Sequence, residues 1–433
     1  MENSALSGKN LVSRRQFVKS SAVVSTAAIT GLGRAGAFAA GSDKIRLGLV
    51  GCGGRGWHDA GKCLEASDSV ELVAMGDMFR DRLDATRSGL AANFGKKVKV
   101  TDETCFIGFD ACKKVLASGV DLVIFTTPPH FRPEHLRAAI EAGVHVFMEK
   151  PVAVDPVGVR SVIESGQLAD RKGLTILAGT QMRRINHLVD GIKRLHDGAI
   201  GDILGGQCVR IGGGMLDWGP TPRKPEWTDM EWQLRRWLFL TWLSGDFIAE
   251  MHVHNLDLLN WVMGSVPEKV IGMGGREVRT GPEYGNIYDH MSAEYEYPNG
   301  VRIEYMGSQM DGVTFRNDLN FSGTKGTVYM DFGNFVIKGP NAYTYDGPQN
   351  DPCVQAHADQ IDAMRNGKKL NEAKRIAESS LTAIMGRMSA YTGRALKWDW
   401  AIQASKLDLR PDEYKLGPLA MRPAAVPGQT PLI

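Results

Sequence analysis

Residues 51–56, Gly-Cys-Gly-Gly-Arg-Gly, have the spacing G-x-G-x-x-G and sit between an apolar run, IRLGLV (45–50), and a helix-length segment. In that setting the glycines have separate tasks: Gly51 permits a tight turn, Gly53 lets backbone approach a pyrophosphate, and Gly56 lets helix and strand lie close. Gly54 and Arg55 belong to the same turn. It opens a helix whose unpaired N–H groups and positive dipole end attract phosphate. Asp77 ends the next apolar run, where a carboxylate can accept hydrogen bonds from an adenosine ribose and repel a 2′-phosphate. Arg80, three residues on, could instead receive that phosphate, so NAD is favoured and NADP is the alternative.

Two further sets carry reactive groups. VHVFMEKP places Glu149, Lys150 and Pro151 at the end of an apolar run, and Pro151 holds Lys150 near extended geometry. A lysine there could polarise or protonate a carbonyl, or orient a hydroxyl; a plain surface lysine is the common alternative. GDFIAEMHVHNLDLLNWVMG (245–264) reads as one buried helix, capped by Asp246 and stopped by Gly264. Glu250, His254, Asp257 and Trp261 share one narrow stripe of it. On the residues alone, a solvated face or a structural histidine reads equally well. Trp237, Trp242, Arg183, Arg184 and Tyr288 could line a sugar pocket, although packing is their commoner use.

The elements that must position these groups follow from hydrophobic patterning. Residues 45–50, 70–75, 98–100, 121–125 and 144–148 read as strands without polar alternation, separated by helix-length segments. That pattern implies a doubly wound parallel sheet covered on both faces, a Rossmann domain over 44–170. A helix over 156–171 and the run 174–178 lead out of it. From 171 to 395 the texture becomes strand-rich, with alternation around Asn299-Gly300 that signals a hairpin. A second α/β domain with an open, mostly antiparallel sheet is expected, its helices at 355–395 returning to the first domain. Residues 396–433, rich in proline, read as an extended arm over the surface or a neighbouring subunit.

Thr127-Pro128, His135 and the run AAIEAGVHVFMEKP resemble the signature of the Gfo/Idh/MocA family, which includes glucose–fructose oxidoreductase and inositol dehydrogenase. The likeness runs from residue 44 to about 395. It implies a dinucleotide site drawing on Thr127, Pro128, His135 and Glu149 besides the glycine turn. It also implies NAD(P)-dependent chemistry on a sugar-like polyol, with Lys150 in the active site. Family members carry an acid and a histidine four residues apart on a helix facing the nicotinamide, and Glu250 and His254 occupy those places. The acid is commonly aspartate, and His252 stands where glycine is common. The resemblance implies that His254 is general base or acid, that Lys150 assists and that Glu250 orients the pair. It also implies dimers or tetramers built through the open sheet.

Composition excludes several other classes. The chain has 433 residues, 43% of them hydrophobic, enough for two buried domains. A formal net charge of +2 gives no nucleic-acid footprint. Six cysteines without a C-x-x-C pair argue against a disulfide framework or structural zinc, and no metal is expected. The first 40 residues differ in kind: Ser13-Arg14-Arg15-Gln16-Phe17-Val18-Lys19, a weakly apolar stretch and Ala37-Phe38-Ala39 read as a twin-arginine signal. The expected product is a soluble periplasmic protein that met the export machinery already folded. A cofactor tightly bound before export would serve it, since no soluble nicotinamide pool exists outside the cytoplasm. The leading expectation is a sugar or glycoside oxidoreductase. Its rival is an NAD-dependent glycosidase similar to glycoside hydrolase family 109, working by transient oxidation at C3. A non-catalytic nucleotide-binding protein is the third reading.

Overall fold

The structure, a computed structural model, describes residues 43–214 and 222–433, so the leader reading lies outside the described residues. Six parallel strands form the first sheet: β1 (Ile45–Val50), β2 (Val70–Asp77), β3 (Cys105–Ile107), β4 (Leu122–Phe125), β5 (His145–Met148) and β6 (Ile176–Ala178). Their order, β3-β2-β1-β4-β5-β6, reverses direction between β1 and β4, which opens a crevice at the carboxyl edge. The helices between them are α1 (Gly54–Ala66), α2 (Arg80–Phe94), α3 (Ala111–Ala117), α4 (Arg132–Ala142) and α5 (Pro156–Lys172). Every residue of β4 is buried, as a strand covered on both faces requires.

Two sequence expectations shift here. The third strand is Cys105–Ile107, not 98–100: Val98 makes only an isolated bridge to Leu72. The parallel sheet also runs past residue 170, because β6 pairs with β5 from Ile176 to Ala178. The run at 174–178 thus completes the first domain rather than leading out of it.

After α6 (Asn186–His196) comes a nine-stranded sheet in which β7 (Ile203–Ile211) is the middle strand, followed towards one edge by β10 (Arg302–Ser308), β9 (His290–Glu296) and β8 (Lys269–Gly275). Only β7 and β10 run parallel; the other pairs are antiparallel. The hairpin β9–β10 turns at Asn299 and Gly300, whose φ values of 74° and 75° suit the residue pair there. Tyr295, Tyr305 and Phe321 are buried on one face of this sheet. Between β7 and β8 lie α7 (Asp229–Arg235), α8 (Thr241–Ser244), α9 (Asp246–Glu250) and α10 (Val253–Met263).

The expected single helix over 245–264 is therefore two, broken at Met251 and His252. Both of their N–H groups donate to the Phe247 carbonyl, while the His252 ring is held 2.6 Å from the Tyr305 hydroxyl. Nor does Asp246 cap it conventionally. Asp246 adopts φ 74°, and its buried carboxylate accepts from the Phe247 and Tyr288 N–H groups and from the Tyr391 hydroxyl. Gly264, in the left-handed region, does end α10.

Helices α11 (Pro352–Asn366) and α12 (Ala373–Thr392) return to the first domain. The Gln360 amide donates to the Val146 carbonyl of β5, and the Glu372 carboxylate accepts from the Ala178 N–H of β6. Beyond the short helix at Trp398–Gln403 the chain carries no regular element to residue 433 and runs over the protein's own surface. No helix of the described residues is long and apolar enough to cross a membrane.

Candidate active site

A cleft of about 1050 Å³ runs along the carboxyl edge of the parallel sheet, between the two domains. Its floor is the glycine turn. Gly51 has φ 98° and lies so close to the β4 exit that a Cβ would sit 2.6 Å from the Thr127 nitrogen. At Gly56 a Cβ would meet the Gly51 carbonyl oxygen at 2.0 Å, whereas at Gly53 and Gly54 it would enter open space. The first intrahelical N–H bond of α1 runs from Trp57 to Gly53, leaving the N–H groups before it without helical acceptors. A glycine-floored gap facing unpaired helix donors fits a dinucleotide pyrophosphate. Gly56→Ala is expected to cost about 1–3 kcal/mol of overpacking and to weaken cofactor binding, measurable by thermal unfolding and NADH titration.

Asp77 lines the cleft at the end of β2. Its carboxylate accepts from the Cys52 N–H at 2.6 Å and the Phe79 N–H at 2.8 Å, bonds that fix it and partly offset the upward pKa shift caused by burial. Arg80 does not join it. Its side chain is 57% exposed beside Asp84, one turn along the outer side of α2, while Arg82 faces the cleft. Of the two arginines, Arg82 and not the expected Arg80 lines the cleft. Thr127, Pro128 and His135 also line the cleft. The His135 Nδ1 lies 3.2 Å from the Thr127 hydroxyl, and burial pushes its pKa down to about 3. Arg55 spans Asp59 and Glu149, with its Nη2 2.5 Å from the Glu149 carboxylate. Burial would raise the Glu149 pKa, yet the cations of Arg55, Lys150 and Arg132 hold it below its usual value.

The reactive groups meet further along the edge. The Lys150 Nζ stands 3.0 Å from the Glu250 carboxylate and also donates to the Glu250 carbonyl. His254 lines the same cleft from the first turn of α10. Its Nδ1 is buried without a partner, which leaves Nε2 as the ring nitrogen able to reach a ligand. Burial, then the charges of Lys150, Arg210 and Arg55, push its pKa well below the ordinary value, so the ring is neutral at physiological pH. A neutral imidazole beside an ammonium whose counter-ion is fixed can exchange a proton with a hydroxyl.

The other half of the expected stripe faces elsewhere. Asp257 is bound by Arg183, Arg375 and Ser379, and the Trp261 ring lies under Arg183 at 4.6 Å. Arg184 pairs with Asp359 and Glu372, Trp242 donates to Gln233, and Tyr288 donates to the Ala425 carbonyl, so of the aromatic and basic group only Trp237 lines the cleft.

Several lining residues carry no local sequence signal. Arg132 is buried and donates to the Thr127 and Pro151 carbonyls, joining the loops after β4 and β5. Arg210, on β7, donates to the Met251 carbonyl at the helix break. Gln181 follows β6, the neighbour of β5, the strand that leads into Lys150. Its Oε1 is sealed from solvent without a partner, and such an acceptor costs about 1–3 kcal/mol unless something completes it.

Fold and site together define a nicotinamide-dinucleotide oxidoreductase type: a glycine-turn sheet joined to a domain that brings an acid–histidine pair to the lysine. Residues 45–180 match the oxidoreductase family GFO_IDH_MocA, NAD-binding Rossmann fold, and residues 192–329 match the GFO/IDH/MocA C-terminal domain. The chain belongs to the Gfo/Idh/MocA oxidoreductase family. It is 29% identical over 214 residues to a 2,7-anhydro-N-acetylneuraminate hydratase of Escherichia coli, covering 49% of this chain and only 52% of that relative. It is 23% identical to an inositol 2-dehydrogenase of Rhizobium meliloti, covering 66% of this chain and 74% of the relative. Among solved structures, an aldose–aldose oxidoreductase from Caulobacter crescentus superposes with TM-score 0.63 at 18% identity, over 82% of this chain and 99% of that one. An oxidoreductase from Agrobacterium radiobacter in complex with NAD+ gives 0.60 at 17% identity, over 82% and 98%. These structural likenesses concern the fold.

Proposed function

We propose that the protein oxidises or reduces a sugar or glycoside at a single carbinol or ketone carbon, using NAD, or NADP as the alternative, held tightly in the cleft. The observation that carries this reading is the convergence of Lys150, Glu250 and His254 in the cleft floored by the glycine turn. Bound there, the nicotinamide supplies the acceptor or donor of hydride. His254 Nε2 takes the hydroxyl proton in the oxidative direction and returns it in the reductive one. Lys150, oriented by Glu250, donates to the same oxygen and stabilises the charge that develops on it. Asp77 binds ribose hydroxyls, which favours NAD.

A redox-neutral outcome is the second reading, supported by the relative named a hydratase. Transient oxidation followed by elimination, addition of water and re-reduction would use the same three side chains. It would also suit a periplasmic protein that carries its own cofactor, as the twin-arginine leader suggests. Self-association through the outer face of the nine-stranded sheet agrees with exposed Ile271 and Met273 on β8.

Product analysis separates the readings. The purified protein is incubated with a panel of sugars and aryl glycosides while nicotinamide absorbance is followed. A keto sugar with a lasting change in absorbance supports the oxidoreductase, and hydrolysis with the absorbance restored supports the rival. Bound cofactor indifferent to the whole panel would leave only the nucleotide-binding reading. Lys150→Met is expected to lower turnover about a hundredfold, the scale of one lost electrostatic donor, with cofactor content unchanged on release and quantification.

A further inference from the structure

The adenosine half of the cleft is roofed by residues that no nucleotide motif carries. Leu234, Trp237 and Leu238 come from the second domain, in α7 and the turn after it, and line the cleft together with Asp77, Phe79 and Arg82 of the first. Arg235 fastens this roof from outside. Its guanidinium lies 3.9 Å from the Phe79 ring centroid and its Nη1 is 3.1 Å from the Asp81 carboxylate, so one side chain grips both residues flanking Arg80.

The C-terminal arm holds the roof in turn. The Met230 N–H of α7 donates to the Gly417 carbonyl, the Gln233 amide donates to the Leu419 carbonyl at 2.8 Å, and the Leu419 N–H donates to the Asp229 carboxylate. A few residues earlier the arm is anchored on the first domain. The Tyr414 hydroxyl is 2.7 Å from the His130 Nε2, and its ring lies 5.8 Å from Phe109 and 5.7 Å from Phe131, both of which line the cleft. The Leu409 N–H donates to Asp155. Residues 409–419 therefore touch the wall and the roof of one compartment.

We propose that α7 and the C-terminal arm form a clasp that encloses the adenosine end of the dinucleotide, with Leu234, Trp237 and Leu238 as its inner surface and Arg235 and Tyr414 as its fasteners. The proposal rests on the reading of the cleft as a nicotinamide-dinucleotide site. It adds which of this chain's residues set the residence time. Each fastening is modest alone, since an exposed ion pair or a single ring contact is weak. They act together because opening the roof breaks the Arg235 contacts and the arm's hydrogen bonds in one motion. A cofactor enclosed this way leaves at the rate at which the clasp opens.

The test uses the full chain loaded with NADH and chased with excess NAD+, the release being followed by NADH fluorescence. Arg235→Ala and Tyr414→Ala are each expected to speed release about tenfold, the scale of one lost cation–π contact or buried ring, and the double variant further. Asp81→Asn removes only the exposed anion of the Arg235 pair and leaves the core untouched; it should speed release in the same sense even if an arm variant folds poorly. Release at the unmodified rate in Arg235→Ala and Asp81→Asn, with NADH bound, would overturn the clasp. Failure of the unmodified protein, first freed of any bound nucleotide, to take up NADH would instead overturn the cofactor reading, and the clasp with it.

Discussion

His254→Ala is expected to lower turnover about a thousandfold, within the range for losing a positioned general base, while bound nicotinamide is retained. The argument is geometric first. His254 stands at the start of α10, 9% exposed, in the cleft that also holds the Lys150–Glu250 pair at 3.0 Å. The hydrogen bonds that hold the glycine turn go to Gly76, Asp77 and Thr126 instead, so loss of His254 leaves the phosphate floor intact. The electrostatics set a pH signature. Burial and the cations of Lys150, Arg210 and Arg55 depress the imidazole pKa. Oxidation needs the unprotonated ring, so the rate stays flat through neutral pH and its acid limb lies well below about 6.5, the unperturbed histidine value. A profile of kcat against pH, with quantification of released cofactor in the variant, measures both effects. Near-normal turnover in the variant, or an acid limb above neutrality, would remove His254 from the chemistry.

The parts of this site written in adjacent residues were legible in the sequence. The glycine turn, the order strand–turn–helix and the acid ending β2 are set by short-range spacing, because each glycine answers a clash within its own turn. Lys150 was legible for a similar reason: the end of a buried parallel strand fixes where its next residues emerge. Arg80 was not. On a helix two residues of offset turn a side chain through about 200°, and the periodicity of α2 does not say which arginine meets the cleft. Arg82 does so. The third strand was misread because Val98–Val100 has strand composition, yet the crossover spends it on one bridge before Cys105 pairs with Met75. Gln181, Arg210 and the roof over Asp77 depend on how the second domain settles on the first. The break at Met251 and His252 likewise depends on Tyr305, on a strand more than forty residues away. No local pattern announces such partners.

The second large expected effect falls at Asp257, on the same helix as His254. One turn beyond His254, Asp257 belongs to the same sequence stripe, but its carboxylate faces the helix packing rather than the cleft. Arg183 Nε donates to it at 2.8 Å, Arg375 Nη1 at 2.9 Å and the Ser379 hydroxyl at 2.7 Å. Asp257→Ala strips Arg183 of its carboxylate partner, while Arg375 keeps Glu372 at 2.9 Å, and the expected cost is about 3 kcal/mol of stability, the lower end for a broken buried pair. Denaturant unfolding, with the midpoint and slope compared, checks it. Burial alone would raise this carboxyl's pKa, yet Arg183 and Arg375 carry it well below the usual range. A depressed folded-state value means the stabilisation is fully present above the unfolded pKa of about 3.9. It is lost only as pH falls below that value towards the folded one, so acidification from neutrality to about pH 5 should not imitate the mutation. Turnover per folded molecule should change far less than in His254→Ala, because Asp257 does not line the cleft. Opposite patterns in the two variants, stability lost in one and catalysis in the other, would divide a stripe that one helical turn makes look like a single site.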